Sequence, residues 1–217
     1  MTTLISKRFD DRIAQADPAC PFQLGLLGGT FDPLHTGHLA LAQAAYANCG
    51  LDGVLFIPTG LPIRKLTTCV ASPEDRYAMI EAAIIDVPHF DLTRLEIDRK
   101  GATYTIDTLR IMKEAYGNRA AFFFICSEDT TRDLITWKEP DAIAQLVTVL
   151  STQRADIELN PEYESTAEQR FTVRSFEMPP YAVSSTMIRE RVKQGLDVGH
   201  LLNEAVDTYI KEHRLYE

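Results

Sequence analysis

The stretch Gly28-Gly29-Thr30-Phe31-Asp32-Pro33-Leu34-His35-Thr36-Gly37-His38 gathers glycines, hydroxyls and two histidines between an apolar run, Phe22 to Leu27, and a helix-like run, Leu39 to Tyr46. It therefore reads as a strand-to-helix turn. Its glycines let backbone approach a ligand, Pro33 constrains the turn, and the free N–H groups of the helix start attract an anion. His35 and His38, three positions apart, are predicted to share one side of the first helical turn. Such a turn suits nucleotide phosphates, yet it contains neither Gly-x-Gly-x-x-Gly nor Gly-x-x-x-x-Gly-Lys-Ser/Thr. A second cluster, Val183-Ser184-Ser185-Thr186-Met187-Ile188-Arg189, sets three hydroxyls at another helix start and adds a guanidinium one turn later. Hydroxyls alone there would be caps; with the planar cation they suit phosphate oxygens again.

The elements that must position these clusters alternate along the chain. Strands are predicted at Phe22–Leu27, Gly53–Pro58, Phe90–Ile97, Ala121–Cys126, Val147–Leu150 and Phe171–Phe176. The continuous apolar run Ala121 to Cys126 suits a central strand covered on both faces. Helices are predicted at Pro73–Ile85, with Ser72 as N-cap and Tyr77, Ile80, Ala83 and Ile84 as apolar face, and at Thr105–Ala115. Two more follow at Ser185–Gln194, stopped by Gly195, and at Glu204–His213. This alternation predicts an α/β fold, a doubly wound parallel sheet with C-terminal helices, whose ligands bind beyond the carboxyl ends of the strands. Asp156 to Gln169 is acidic and poorly periodic and is expected to be a mobile surface loop.

Composition narrows the classes. The chain has 217 residues, 45% of them apolar, enough for one sizeable domain. Lys and Arg total 22 against 31 Asp and Glu, a formal charge of −9, which argues against nonspecific nucleic-acid or anionic-membrane binding. No apolar run is long enough to span a bilayer, and residues 1–21 lack the apolar core of a signal peptide. Cys20, Cys49, Cys69 and Cys126 show no metal-like spacing, so packing roles in a reducing cytoplasm are expected. Residues 1–21 read as an N-terminal extension and 22–217 as the domain. A homo-oligomer is compatible with this composition.

The paired His35-Thr36-Gly37-His38 element resembles the signature of the nucleotidyltransferase superfamily, and Ser184-Ser185-Thr186-Met187-Ile188-Arg189 resembles its late Ser-Ser-Thr-x-x-Arg motif. The resemblance implies a Rossmann-like nucleotidyltransferase fold. It also implies that Gly28, Gly29, Thr30, Phe31, His35, His38, Ser184, Ser185, Thr186 and Arg189 bind ATP, with His35, His38 and Arg189 catalytic. Three further segments resemble one branch, the nicotinate mononucleotide adenylyltransferases. In Pro58 to Lys65, Lys65 is implied to approach the mononucleotide, although Arg64 stands where relatives have histidine. Ala102-Thr103-Tyr104-Thr105-Ile106-Asp107-Thr108 resembles the helix start beside the pyridine ring, with Tyr104 and Thr105 as contacts; Thr105 also suits an N-cap. Trp137 keeps its distance from Asp129, so the resemblance implies that Trp137 stacks on the ring and Asp129 binds substrate. Ser127 and Glu128 replace the small residues of that pattern.

The implied reaction is adenylyl transfer from ATP to nicotinate mononucleotide, releasing nicotinate adenine dinucleotide and pyrophosphate. The attacking phosphate is already anionic, so in-line positioning and charge neutralisation replace a general base. ATP implies Mg²⁺, with Asp32 and Asp129 as candidate water-mediated contacts or as turn-forming or ribose-binding groups. Nicotinamide mononucleotide and phosphopantetheine are alternative acceptors, and a non-catalytic nucleotide sensor is the alternative from another class.

Overall fold

Every strand carries side chains to two faces in alternation, and here both faces are apolar. The computed structural model describes residues 4–61, 70–153 and 170–217. Among them six strands form one sheet, β1 (Phe22–Gly29), β2 (Gly53–Pro58), β3 (Phe90–Leu92), β4 (Ala120–Ser127), β5 (Val147–Gln153) and β6 (Val173–Glu177). Their order is β3-β2-β1-β4-β5-β6 and all neighbours run parallel. Leu26 stands level with Leu55 on one side and Phe124 on the other.

Period-two alternation sends Leu24, Leu26, Phe122, Phe124 and Cys126 to one face, and Val54, Phe56, Phe123 and Ile125 to the other. The first face is covered by α1 (Asp10–Gln15), α4 (Thr105–Tyr116) and α6 (Pro140–Leu146); the second by α2 (Thr36–Cys49), α3 (Pro73–Ile84), α7 (Ser185–Lys193) and α8 (Glu204–Glu212). A short α5 (Glu128–Asp133) and a 3₁₀ turn (Leu134–Thr136) lie between β4 and α6. The doubly wound parallel sheet with C-terminal helices is thus present.

Most predicted elements are found within a few residues of their expected ends, and Ser72 does cap α3, accepting from the Asp75 N–H at 3.1 Å. Three expectations are corrected. Strand β3 stops at Leu92 because the Thr93 N–H still reaches the Phe56 carbonyl but the chain then leaves the edge, carrying Glu96 into the interior beside α4. The N-cap of α4 is Tyr104, not Thr105, which is already helical. Cys49 and Cys126 pack inside as expected, whereas Cys20 is exposed. The acidic segment Asp156 to Gln169 lies outside the described residues.

Residues 4–21 join the core. Ile5, Phe9 and Ile13 are at most 2% exposed, and polar groups pin the segment: Ser6 Oγ and the Arg8 N–H donate to the Asp91 carboxylate at 2.5 and 2.8 Å, and Tyr116 Oη donates to Asp10 at 2.6 Å. Gly53 admits the Phe9 ring, since a Cβ there would stand 2.5 Å from it. Phe9→Ala is therefore expected to destabilise the fold by about 3–5 kcal/mol, read as a lowered midpoint in urea unfolding, while truncating the exposed Leu4 changes little.

Candidate active site

The strand order reverses between β1 and β4, where the connections of neighbouring strands diverge and leave a crevice. A cleft of about 1210 Å³ opens there, walled by the ends of β1 and β4, the starts of α2, α4 and α7, and residues from Ser127 to Lys138. That exceeds the roughly 300–1,000 Å³ of an ordinary small-molecule pocket and has room for two nucleotides. Gly28, Gly29, Thr30, Phe31, His35, His38, Tyr104, Thr105, Trp137, Ser184, Ser185, Thr186 and Arg189 all line it. Asp129 is exposed on α5 and is not among the lining residues. Lys65 lies outside the described residues.

The two imidazoles lie face to face, centroids 3.7 Å apart. His35 is the N-cap of α2, with extended backbone, and His38 is its third helical residue. The His35 N–H donates to His38 Nδ1 at 3.3 Å, so a neutral His38 carries its proton on Nε2 and can donate from there. His35 is buried, its Nδ1 finds no partner among the described residues, and desolvation holds its pKa down at about 4. It is a neutral ring at physiological pH. Glycine has a different use here from the one its sequence suggests. A Cβ at Gly37 would stand 3.2 Å from the His35 ring and 3.0 Å from Val183, and one at Gly29 would stand 3.0 Å from the Phe31 ring. These glycines make room for the protein's own side chains. Phe31 adopts φ 53, an uncommon region for a bulky residue, and its buried ring meets His38 edge-on at 5.0 Å.

The late cluster is bonded directly to this loop. Arg189 Nη1 donates to the Asp32 carbonyl at 2.7 Å, Ser185 Oγ to the Pro33 carbonyl at 2.9 Å, and Thr36 Oγ1 to the Leu201 carbonyl at 3.0 Å. Ser184 Oγ caps α7 by accepting from the Met187 N–H, and Thr186 Oγ1 accepts from Arg189 Nη2. The hydroxyls read from sequence as phosphate ligands thus also shape the site. Arg189 keeps further N–H donors for an anion.

Asp32, for which the sequence left a turn-forming role among its alternatives, is tied into the turn by several partners, and Arg76 and Glu96 escaped the sequence reading. The Asp32 carboxylate, 3% exposed, accepts from the Val70 and Ala71 N–H groups at 2.8 and 3.0 Å and from Tyr216 Oη at 2.8 Å, and Arg189 lies 3.8 Å away. Fully buried Arg76 donates to the Thr30 and Gly60 carbonyls at 2.7 and 3.1 Å, holding the loop from below. Its signal was a charge at the core-facing spacing of Ile80 and Ile84. Glu96 lines the far wall, accepting from Thr108 Oγ1 at 2.7 Å; burial pushes its carboxyl above the usual range against the hydrogen bonds of Thr108 and Thr103 and the charge of Arg99. Trp137 packs edge-on against Phe124 at 5.6 Å while half-buried on the cleft wall.

Among the described residues no group of three His, Cys, Asp or Glu side chains could hold a metal ion. The Asp32 oxygens accept from the Val70 and Ala71 N–H groups and from Tyr216 Oη, and Asp129 stands outside the cleft lining.

A fold of this order with two phosphate-suited helix starts in one crevice defines a nucleotidyltransferase, and the cytidylyltransferase-like family matches residues 26–191. A relative from Desulfitobacterium hafniense (strain Y51), named "Probable nicotinate-nucleotide adenylyltransferase", is 40% identical over 205 residues, covering 91% of this chain and 97% of the relative. One of the same name from Thermoanaerobacter sp. (strain X514) is 38% identical over 199 residues, covering 90% and 94%. The chain belongs to the nicotinate-nucleotide adenylyltransferase family. Its fold is shared with the Plasmodium falciparum nicotinic acid mononucleotide adenylyltransferase complexed with APC, at TM-score 0.72 and 18% identity, covering 89% of this chain and 96% of that one.

The depressed His35 has a consequence for stability. Its folded pKa of about 4 lies below the ordinary 6.5, so the unfolded chain binds a proton that the folded chain refuses. The stability present above pH 6.5 is therefore lost as pH falls toward 4. His35→Asn is expected to flatten that part of the profile in urea unfolding at stepped pH, and a wild-type imidazole titrating near 6.5 by NMR would contradict the assignment.

Proposed function

We propose that the chain transfers the adenylyl group of ATP to nicotinate mononucleotide, forming nicotinate adenine dinucleotide and pyrophosphate. One observation carries this reading: the His35/His38 loop and the Arg189 helix start are bonded to each other around a single cleft. Family membership supports the chemistry.

The 5′-phosphate oxygen of the mononucleotide attacks the α-phosphorus of ATP; the new P–O bond forms as the bond to the bridging oxygen breaks and pyrophosphate leaves. No proton need be abstracted from that nucleophile. The work of the site is to align the two phosphates and to meet the charge that grows on the bridging oxygen. In this reading His38, donating from Nε2, and Arg189 meet that charge, aided by the N-terminal dipoles of α2 and α7. His35, neutral and stacked on His38, holds that ring in place and excludes water from one face. Mg²⁺ is part of the nucleotide substrate, screening its phosphates. At the other end of the cleft the pyridine ring stacks on Trp137 near Tyr104 and Thr105, with Lys65 assigned to the mononucleotide by resemblance.

The test is to supply the purified chain with MgATP and, in parallel, nicotinate mononucleotide, nicotinamide mononucleotide and phosphopantetheine, following pyrophosphate and product by chromatography. The highest kcat/KM is expected with nicotinate mononucleotide; preference for phosphopantetheine, or nucleotide binding without turnover, would refute the reading. His38→Ala is expected to lower kcat by about 10²- to 10³-fold, the range for losing one preorganised donor to developing charge. Trp137→Ala is expected to raise KM for the mononucleotide about tenfold, within the span for one lost aromatic stack, and to leave KM for ATP in place.

A further inference from the structure

Helix α8 closes in an ordered way, and the residues beyond it make one further turn. The Arg214 N–H donates to the Lys211 carbonyl at 3.4 Å and the Leu215 N–H to the Ile210 carbonyl at 3.0 Å, the paired bonds of a left-handed helix stop, with Leu215 packed against the apolar cluster that holds Ile210. Arg214, at φ 49, takes the position that usually belongs to glycine. That accounts for one left-handed residue. The second, Tyr216 at φ 69, lies past these capping bonds, and such a backbone under a bulky side chain persists only where its surroundings hold it. Its ring is 7% exposed, and the turn delivers its hydroxyl to Asp32 Oδ1, to which Tyr216 Oη donates at 2.8 Å.

Asp32 passes that contact on. Its Oδ2 accepts from the Val70 N–H and stands 3.8 Å from Arg189 Nη1, too far for a hydrogen bond, while the same Nη1 donates to the Asp32 main-chain carbonyl at 2.7 Å. Arg189 thus lies between two acceptors of one residue and is bonded to one of them. Asp32 and Arg189 line the cleft; Tyr216 does not. We propose that Tyr216 is a positioning residue for adenylyl transfer: its hydroxyl satisfies the Asp32 carboxylate, so that Arg189 stays on the carbonyl and keeps its remaining donors for the nucleotide phosphates. This rests on the proposed use of ATP.

Without the phenol, a carboxylate only 3% exposed loses a donor that solvent cannot readily replace. Among the described residues Arg189 is the cation within 4.0 Å of it. Drawing Nη1 from the carbonyl to Oδ2 offsets the loss and takes the guanidinium from its place at the phosphates. The effect therefore falls on the step in which charge grows on the bridging oxygen, and not on the binding of the mononucleotide. Tyr209 supplies a matched control. It lies on the same helix and donates to another aspartate, Asp75 Oδ1, at 3.0 Å, yet neither residue lines the cleft.

The test compares wild type, Tyr216→Phe, Tyr209→Phe, Arg189→Gln and the Tyr216→Phe/Arg189→Gln double variant, by steady-state kinetics with MgATP and nicotinate mononucleotide and by urea unfolding. Tyr216→Phe keeps the packed ring and is expected to lower kcat about tenfold, the low end for one hydrogen bond to a charged group, with KM for the mononucleotide held within about twofold. Tyr209→Phe is expected to lower the urea midpoint and keep kcat within about twofold. In the Arg189→Gln background, Tyr216→Phe is expected to change kcat by no more than about twofold, because its route to the phosphates is gone. A wild-type kcat in Tyr216→Phe would overturn the inference, whatever the unfolding midpoint. So would losses that multiply in the double variant, which would mark a general loosening of the fold. Turnover of phosphopantetheine in place of the mononucleotide would refute the proposed acceptor alone, and the same comparison is then read with that substrate, since Tyr216 acts on the ATP side. A wild type without turnover would overturn both.

Discussion

The site depends on one buried carboxylate. Asp32 is nearly inaccessible to solvent, and a charge taken out of water is costly unless hydrogen bonds replace the lost hydration. Here two backbone N–H groups from the approach to α3 and a tyrosine hydroxyl from the end of the chain replace it, with the Arg189 guanidinium nearby. These partners come from three separate parts of the sequence. Satisfying one side chain therefore fixes the phosphate loop against α3, α7 and the C-terminal segment at once.

Around that anchor the protein resolves a conflict between its overall charge and its substrate. A chain of formal charge −9 must attract a polyanion, and it does so with few cations placed where the field lines converge. Arg189 faces the cleft, Arg76 lies buried below the loop, and the α2 and α7 termini add fixed dipoles. The imidazole pair adds polarity without a second permanent charge, because burial keeps His35 neutral.

Much of this was legible in the sequence where the signal was periodic or local. Apolar runs of four to eight residues marked the strands, and Ser72-Pro73 and Ser184 marked helix starts that the structure confirms. The two phosphate motifs stood out because glycine, hydroxyl, histidine and arginine at those spacings have few structural uses together. The short elements α5 and α6 did not stand out, since six or seven residues are too few to establish a helical period. The partners of Asp32 were illegible for another reason: nothing local joins it to Ala71 or Tyr216, and only the completed fold brings them together. The packing of residues 4–21 was not legible, because Ile5, Phe9 and Ile13 are scattered among charges and suit a packed helix or a loose tail equally; in the fold these three side chains are buried. Asp129 matched a pattern by position but is exposed and not among the lining residues, whereas Lys138, which matched no pattern, lines the cleft.

The bond between Tyr216 and Asp32 joins residues 184 positions apart. A ribosome delivers residue 32 long before residue 189, and residue 216 later still. The strands β1 to β4 can pair as they emerge, but the His35/His38 turn lacks its guanidinium and its phenol until synthesis has passed both. Competence in this protein consequently waits on residues 189 and 216, and a nascent chain that has not reached them holds strands without a grip.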